Sequence, residues 1–133
     1  MEVGITAGSF DLFHAGHVLM LKDAKDQCDY LIVALQTDPT IDRKEKNKPI
    51  QTMYERFIQL DACKYVDKII PYETEDDLYT LIMNTDVDIR IIGNEYRNED
   101  FTAREVGLEI YYNARNHQWS TTELRERILN ESV

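Results

Sequence analysis

Short apolar and β-branched runs alternate along the chain with segments whose apolar residues recur at helical spacing. The apolar runs predict five strands, at residues 2–7, 30–35, 68–71, 89–92 and 109–112. The run at 30–35, Tyr-Leu-Ile-Val-Ala-Leu, is typical of a strand that is buried on both faces of a parallel sheet. This alternation predicts an α/β fold, a doubly wound parallel sheet with helices on both faces.

Four helices are predicted between and after these strands. Apolar residues at positions 18, 19, 21 and 24 fit one face of a helix over residues 18–24. Three more begin where a hydroxyl residue precedes an acidic residue by three positions, at Thr52, Thr74 and Ser120, and run to about residues 62, 84 and 129. Ligands of such sheets bind beyond the carboxyl ends of the strands, which selects the loops 8–17, 36–48, 93–98 and 113–121.

Length and charge narrow the possible functions. The 133 residues suit a single domain, residues 1–133, without repeats or an internal linker. With 15 Lys+Arg and 25 Asp+Glu the formal charge is −10, which argues against binding to nucleic acid or to a membrane surface. Residues 73–109 hold eleven acidic and only three basic residues, so a positive pocket elsewhere in the chain is compatible with the total.

Signals for export and cross-linking are missing from the sequence. The two cysteines, Cys28 and Cys63, are no disulfide framework. No apolar run approaches the roughly 20 residues of a membrane span, and the first residues do not resemble a secretory signal. We therefore expect a cytoplasmic protein whose fold starts almost at residue 1.

The loop after the first predicted strand carries the strongest functional signal. It reads Gly-Ser-Phe-Asp-Leu-Phe-His-Ala-Gly-His over residues 8–17. Gly8 and Gly16 permit tight turns and put no Cβ in the way of a ligand. His14 and His17 stand three residues apart at a predicted helix N-terminus, so both rings can reach one point and donate to phosphate oxygens there.

Other readings of the two histidines are an ordinary loop or a partial metal site. Zinc needs further ligands, and the two cysteines do not have the paired spacing of a zinc site. The glycine patterns of P-loop and dinucleotide-binding proteins are missing.

The pattern at residues 8–17 resembles the G-[ST]-F-D-x-x-H-x-G-H signature of the cytidylyltransferase-like nucleotidyltransferases. From residue 3 to about 128 the chain is most similar to the small, single-domain glycerol-3-phosphate cytidylyltransferases. Arg115 and the run Ser-Thr-Thr at 120–122 match that family's second signature, R-T-x-G-I-S-T-T. Asn116 replaces the Thr of this signature, and Gln-Trp at 118–119 replaces its Gly-Ile. After Gly93 the chain reads Asn-Glu-Tyr, where the family has an acidic pair and Trp.

The resemblance implies a Rossmann-like nucleotidyltransferase fold and an enzyme that transfers CMP from CTP to a glycerol-3-phosphate-like acceptor, releasing pyrophosphate. It implies five catalytic residues: His14, His17, Lys44, Lys46 and Arg115. It implies nucleotide and phosphate binding by Gly8, Ser9, Phe10, Asp11, Gly16, Arg56, Gly93, Ser120 and Thr121. Mg²⁺ or another divalent cation would accompany the nucleotide, with Asp11 as an indirect partner. A homodimer and a role in making precursors of cell-surface polymers are also implied.

Several of these residues have simpler interpretations. Lys44 and Lys46 belong to a basic run that could be a solvated loop, and Arg56 could pair with a surface carboxylate. Ser120 serves as a helix cap whether or not it binds phosphate. Trp119 is expected in the core rather than stacked on a ligand.

Two other functions remain open at this stage. The first is an adenylyltransferase that uses ATP and a heptose phosphate or a similar sugar phosphate. The second is a nucleotide-binding sensor without catalysis, which the altered second signature would explain.

Overall fold

The computed structural model describes residues 1–131 of the chain. Its strands are β1 (Val3–Gly8), β2 (Tyr30–Gln36), β3 (Lys68–Tyr72), β4 (Ile89–Gly93) and β5 (Glu109–Asn113). Its helices are α1 (Ala15–Asp26), α2 (Met53–Asp61), α3 (Glu75–Asn84) and α4 (Thr121–Glu131). The predicted strands and helices are confirmed. Helix α1 begins earlier than the apolar pattern indicated, because two histidines cap its first turn.

The sheet is parallel throughout, in the order β3-β2-β1-β4-β5. Strand β1 pairs with β2 along its whole length, from Val3–Tyr30 to Gly8–Leu35. It pairs with β4 only at Gly4–Ile89 and Ile5–Arg90. The chain moves from β1 to one side and then returns to build the other, so β1 and β4 flank the topological switch point, where such sheets bind ligands.

Both faces of the sheet are covered. Leu31, Val33 and Leu35 of β2 belong to the cluster that includes side chains of α1 and α2. Ile32 and Ala34 belong to the cluster that includes side chains of α3. Strand β2 is buried from its second residue to its last, which confirms the predicted strand with two covered faces.

Local capping fixes the helix starts that the sequence predicted. The side chain of Thr52 accepts from the Glu55 N–H at 3.2 Å, and the Glu55 carboxylate accepts from the Thr52 N–H at 2.9 Å. The same reciprocal pair joins Thr74 and Asp77 at the start of α3. Within residues 1–131, no helix combines the length and the apolarity that crossing a membrane requires.

Replacing Leu21 with Ala tests the packing of α1 on the sheet. Leu21 is 0% exposed in the core, so Leu21→Ala should lower the free energy of unfolding by about 2–5 kcal/mol. Leu19 is 43% exposed on the same helix, and Leu19→Ala should cost less than about 1 kcal/mol. Urea unfolding of both variants measures the difference. Equal losses would contradict this placement of α1.

Candidate active site

A cleft of about 910 Å³ lies beyond the carboxyl ends of the strands, at the switch point between β1 and β4. Most of the residues that the sequence singled out line it: Gly8, Ser9, Phe10, Asp11, His14, Gly16, His17, Lys46, Gly93, Arg115, Ser120 and Thr121. The structure thus brings the two signatures together, although more than a hundred residues separate Asp11 from Thr121. Lys44 and Arg56 are not among the lining residues.

The loop between β1 and α1 has a conformation that needs support. Phe10 and Leu12 both have a φ of 51°, in the left-handed region that side chains other than glycine rarely occupy. Asp11 between them supplies an anchor, because its carboxylate accepts from the N–H groups of Ile50 and Gln51, each at 2.9 Å. The Leu12 N–H donates to the Gln51 side chain at 2.7 Å. Hydrogen bonds to the segment before α2 therefore fix the conformation of the loop that carries the first signature.

Asp11 also connects the first signature to helix α4, which begins within the second signature. Arg125 of α4 donates to its Oδ2 at 3.1 Å, a pairing that the sequence analysis missed. With two backbone N–H groups and one guanidinium already bound, the buried carboxylate is committed to protein donors. Residues 1–131 contain no group of three or more His, Cys, Asp or Glu that could hold a metal ion. The described part of the chain therefore shows no carboxylate cage of the kind that holds a hard cation.

The two histidines cap helix α1. His14 is the N-cap residue, and its Nδ1 accepts from the Gly16 N–H at 3.0 Å. Nδ1 of His17 accepts from the His14 N–H at 3.1 Å, and the ring centroids are 3.9 Å apart. A neutral imidazole that accepts at Nδ1 carries its proton on Nε2. Both Nε2–H groups are therefore left for other partners, and that of His14 lies 3.3 Å from Thr121 Oγ1.

Both rings are neutral at physiological pH. Burial, together with the smaller effect of the neighbouring His14, lowers the pKa of His17 to about 3. Burial also lowers the pKa of His14, with smaller effects of His117 and Arg115 in the same direction. The pair therefore offers neutral N–H donors rather than positive charges.

A third histidine, His117, completes this wall of the cleft, and the sequence analysis did not single it out. Its ring lies against the open side of Gly16, where an added Cβ would come within 3.0 Å of its Cε1 and 2.8 Å of the Cε1 of His14. Gly16 is needed to make room for these rings. Nδ1 of His117 accepts from the Trp119 N–H at 3.1 Å, so its Nε2 also faces away from the backbone.

The prediction that Trp119 is a core residue is wrong. Its side chain is 46% exposed, lines the cleft and stacks on His117 with ring centroids 5.1 Å apart. Arg115 donates to the Trp119 carbonyl at 2.7 Å, which fixes the turn before α4. Ser120 accepts from the Glu123 N–H at 3.0 Å, so it caps α4 as predicted.

The basic loop after β2 reaches the cleft only in part. Lys46 lines the cleft, whereas Lys44 lies on the exposed side of the turn. Arg43, which the sequence analysis did not select, also lines the cleft and pairs with Glu75 at 3.3 Å.

The interpretation of Arg56 as a surface residue is wrong. Arg56 is 2% exposed, and it is not among the residues that line the cleft. Its guanidinium donates to four backbone carbonyls: Ser9 at 3.0 Å, Gln36 at 2.6 Å, Thr37 at 2.6 Å and Gln51 at 3.2 Å. Arg56 therefore ties the ends of β1 and β2 to the segment before α2.

Comparison with known proteins gives a match to one family profile and to several individual proteins. Residues 5–127 match the profile of the family described as cytidylyltransferase-like. The chain is 33% identical to the glycerol-3-phosphate cytidylyltransferase of Bacillus subtilis, over 96% of this chain and 98% of that protein. It is 36% identical to the ethanolamine-phosphate cytidylyltransferase of Arabidopsis thaliana over 74% of this chain, but spans only 24% of that longer protein. It is 34% identical to the FAD synthase of Thermococcus sibiricus, over 79% of this chain and 70% of that protein.

Among solved structures, a lipopolysaccharide core biosynthesis protein from Thermoplasma volcanium GSS1 superposes with a TM-score of 0.63. The match covers 100% of this chain and 90% of that chain at 22% identity, and so it bears on the fold alone. It agrees with the Rossmann-like sheet described above.

The depressed pKa of His17 predicts a pH-dependent stability. In the unfolded chain this histidine titrates near its ordinary value of about 6.5, but in the folded chain only near 3. Between these values the unfolded state binds the extra proton, so the free energy of unfolding falls as the pH falls. The variant His17→Asn can keep an acceptor at the Nδ1 position but has no group that titrates. Its free energy of unfolding should therefore depend less steeply on pH, by up to about 1.4 kcal/mol per pH unit, the effect of one proton. Urea unfolding between about pH 4 and 6.5 measures both slopes, and equal slopes would contradict the buried neutral ring.

Arg56→Met tests the structural role of Arg56. Removing the guanidinium leaves buried carbonyls without donors and should cost about 3–5 kcal/mol in the free energy of unfolding. Arg127→Met is the matched control, because the Arg127 side chain is 64% exposed and its pairing with Glu123 is worth about 0.5 kcal/mol or less. If Arg56→Met keeps its stability but binds nucleotide more weakly, that result would contradict the structural role and support the predicted binding of phosphate by Arg56.

Proposed function

We propose, from the premise that this chain belongs to the cytidylyltransferase-like family of nucleotidyltransferases, that it transfers CMP from CTP to a small phosphorylated alcohol. One observation carries the proposal: the rings of His14 and His17 are held at the switch point with Nδ1 occupied and Nε2 left for a ligand, beside the start of α4. Such an arrangement suits a triphosphate better than it suits a metal or an apolar ligand.

The proposed reaction needs positioning and stabilisation of negative charge. An oxygen of the acceptor phosphate attacks the α-phosphorus of CTP and forms a new P–O bond. The bond from the α-phosphorus to the bridging oxygen breaks, and pyrophosphate leaves with its electrons. Charge grows on the oxygens around the α-phosphorus and on the leaving group, where fixed N–H donors are most effective.

Each side chain would act at a different part of this path. The Nε2–H groups of His14 and His17 would donate to oxygens of the α- and β-phosphates. The hydroxyl of Thr121 and the first N–H groups of α4 would bind the outer phosphates, as helix N-termini do. Arg115 and Lys46 would supply the positive charge, and Lys44 would join them if the loop closes over the nucleotide. Mg²⁺ would enter bound to the triphosphate.

An adenylyltransferase is the second candidate. A relative named FAD synthase favours it, because the adenylyl half of FAD derives from an adenine nucleotide. The segment Asn94–Tyr96 after Gly93 also departs from the cytidylyltransferase pattern. Base choice is therefore the part of the proposal that needs measurement first.

Pyrophosphate release with each of the four ribonucleoside triphosphates, against a panel of phosphorylated acceptors, separates the candidates. We expect turnover with CTP. A clear preference for ATP would overturn the cytidylyl proposal in favour of the adenylyl one. Nucleotide binding without turnover for any acceptor would favour the sensor.

Variants of the two histidines test the mechanism. His14→Asn and His17→Asn can retain the acceptor that caps α1 while losing the Nε2–H donor, so the fold should persist. Each should lower kcat by about 10²–10³-fold, the usual effect of removing one donor to the developing charge. Lys22→Ala, a change at an exposed position of the same helix outside the cleft lining, is the control for general disturbance of α1. Full turnover of either histidine variant would contradict the mechanism.

A homodimer is part of the proposal as well. Exposed apolar side chains on α2 (Tyr54, Phe57 and Ile58) offer a surface on which a second copy could pack.

A further inference from the structure

The cleft has a second lobe on the side of the sheet that packs against α3. Gln36, Tyr72, Glu75, Arg90 and Thr102 contribute to its lining there. In β4, Ile89 and Ile91 belong to the core cluster on the α1 side, so Arg90 between them points to the opposite side. The histidines lie at the start of α1, beyond the carboxyl ends of the strands and on the opposite face of the sheet. The lobe is therefore distinct from the part of the cleft that suits the triphosphate.

Arg90 is a buried cation whose environment does not balance it. It is 6% exposed, its Nη1 donates to the Thr102 carbonyl at 2.8 Å, and its guanidinium lies 5.5 Å from the centroid of the Phe101 ring. Its Nε is buried without a hydrogen-bond partner. No carboxylate of residues 1–131 lies within ion-pair distance of it. Glu75, which pairs with Arg43 at 3.3 Å, attracts the guanidinium only from farther away. An unpaired buried charge is expensive, and a core without function would not be expected to retain one.

The register of the sheet shows how far below the rim of the cleft Arg90 lies. Ile5–Arg90 is the last pair between β1 and β4, so Arg90 stands where the opening between the two strands begins. It lies three residues before Gly93 at the rim, about 10 Å along the strand. Arg90 and His14 line the same cleft, so one ligand can contact both residues.

We infer that Arg90 binds a second anionic group of the acceptor, and that the preferred acceptor is a short phosphorylated polyol that also carries a carboxylate. This inference rests on the proposed function, because it assigns the phosphate of the same molecule to the reaction. A guanidinium recognises a carboxylate through two parallel N–H donors, and the unpartnered Nε is one of the atoms that such a pair uses. Glycerol 3-phosphate would leave Arg90 unpaired.

Acceptors that differ only in the second anionic group give the sharpest test. Glycerate 3-phosphate and glycerol 3-phosphate form a short matched pair, and gluconate 6-phosphate and glucitol 6-phosphate form a longer one. The wild-type chain should prefer the acid in at least one pair, by kcat/KM for pyrophosphate release. Arg90→Met should lower kcat/KM for that acid by about 10- to 100-fold and change kcat/KM for the alcohols by less than about twofold. Arg90→Lys should fall between, and Arg127→Met should behave as the wild type.

Two further measurements keep this inference separate from the proposed function. Isothermal titration of the same acids, without nucleotide, should show binding to the wild-type chain that Arg90→Met loses. If this binding is found but no triphosphate supports transfer, the proposed function fails and the role of Arg90 stands. If transfer occurs without preference for an acid, or if Arg90→Met lowers turnover equally for acids and alcohols, the role of Arg90 is overturned and the proposed function stands.

Stability supplies a last criterion. Because Arg90 lacks an ion-paired carboxylate and donates to one carbonyl rather than four, Arg90→Met should lower the melting temperature clearly less than Arg56→Met does. A loss as large as that of Arg56→Met would mean that Arg90 is structural and would overturn the inference. The inference is also overturned if Arg90→Met does not fold and Arg90→Lys keeps the wild-type ratio of kcat/KM for the acid to kcat/KM for the alcohol.

Discussion

The short pairing between β1 and β4 is the constraint on which the site depends. Their hydrogen bonding ends at Ile5–Arg90, so the last residues of each strand are paired on one side only. The loop that leaves β1 must therefore cross an open edge in the middle of the sheet. Its left-handed residues Phe10 and Leu12 make that crossing, and α1 starts at the rim of the opening. The histidines stand over the gap because the helix that they cap begins there.

Buried charges around this loop serve the backbone, while its two histidines face the cleft as neutral groups. Arg56 donates to carbonyls at the ends of β1 and β2, and Asp11 accepts from backbone N–H groups just before α2. These contacts satisfy polar groups that the opening would otherwise leave buried and unpaired. The Nδ1 atoms of the histidines accept from backbone N–H groups of residues 14 and 16, so each ring keeps an Nε2–H that the backbone does not use. Rigid charged contacts thus position donors that are themselves uncharged.

Local patterns in the sequence predicted most of the fold and the centre of the site. Apolar runs gave the strands, hydroxyl–acid spacing gave the starts of α2 and α3, and the His-x-x-His spacing placed two rings at one point. Contacts over long distances along the chain were not predictable in this way. The pair between Asp11 and Arg125 joins positions 114 residues apart, and nothing near either residue indicates it. The surface interpretation of Arg56 and the core interpretation of Trp119 failed for one reason: residue type suggests exposure for Arg and burial for Trp, but the direction of the side chain decides it.

The charge distribution now has a physical interpretation. A chain with a formal charge of −10 would repel a triphosphate if its cleft shared that excess, and many of the acidic residues lie between positions 73 and 109. The cleft lining instead mixes both signs, with Glu75, Glu95, Asp100, Arg43, Lys46, Arg90 and Arg115. Neutral imidazoles contribute hydrogen bonds without adding fixed positive charge, so pyrophosphate can leave these two donors without breaking an ion pair. Arg90 belongs to the acidic stretch but is buried without a carboxylate in ion-pair contact. A buried cation of this kind is suited to selecting an anion that comes from outside the chain.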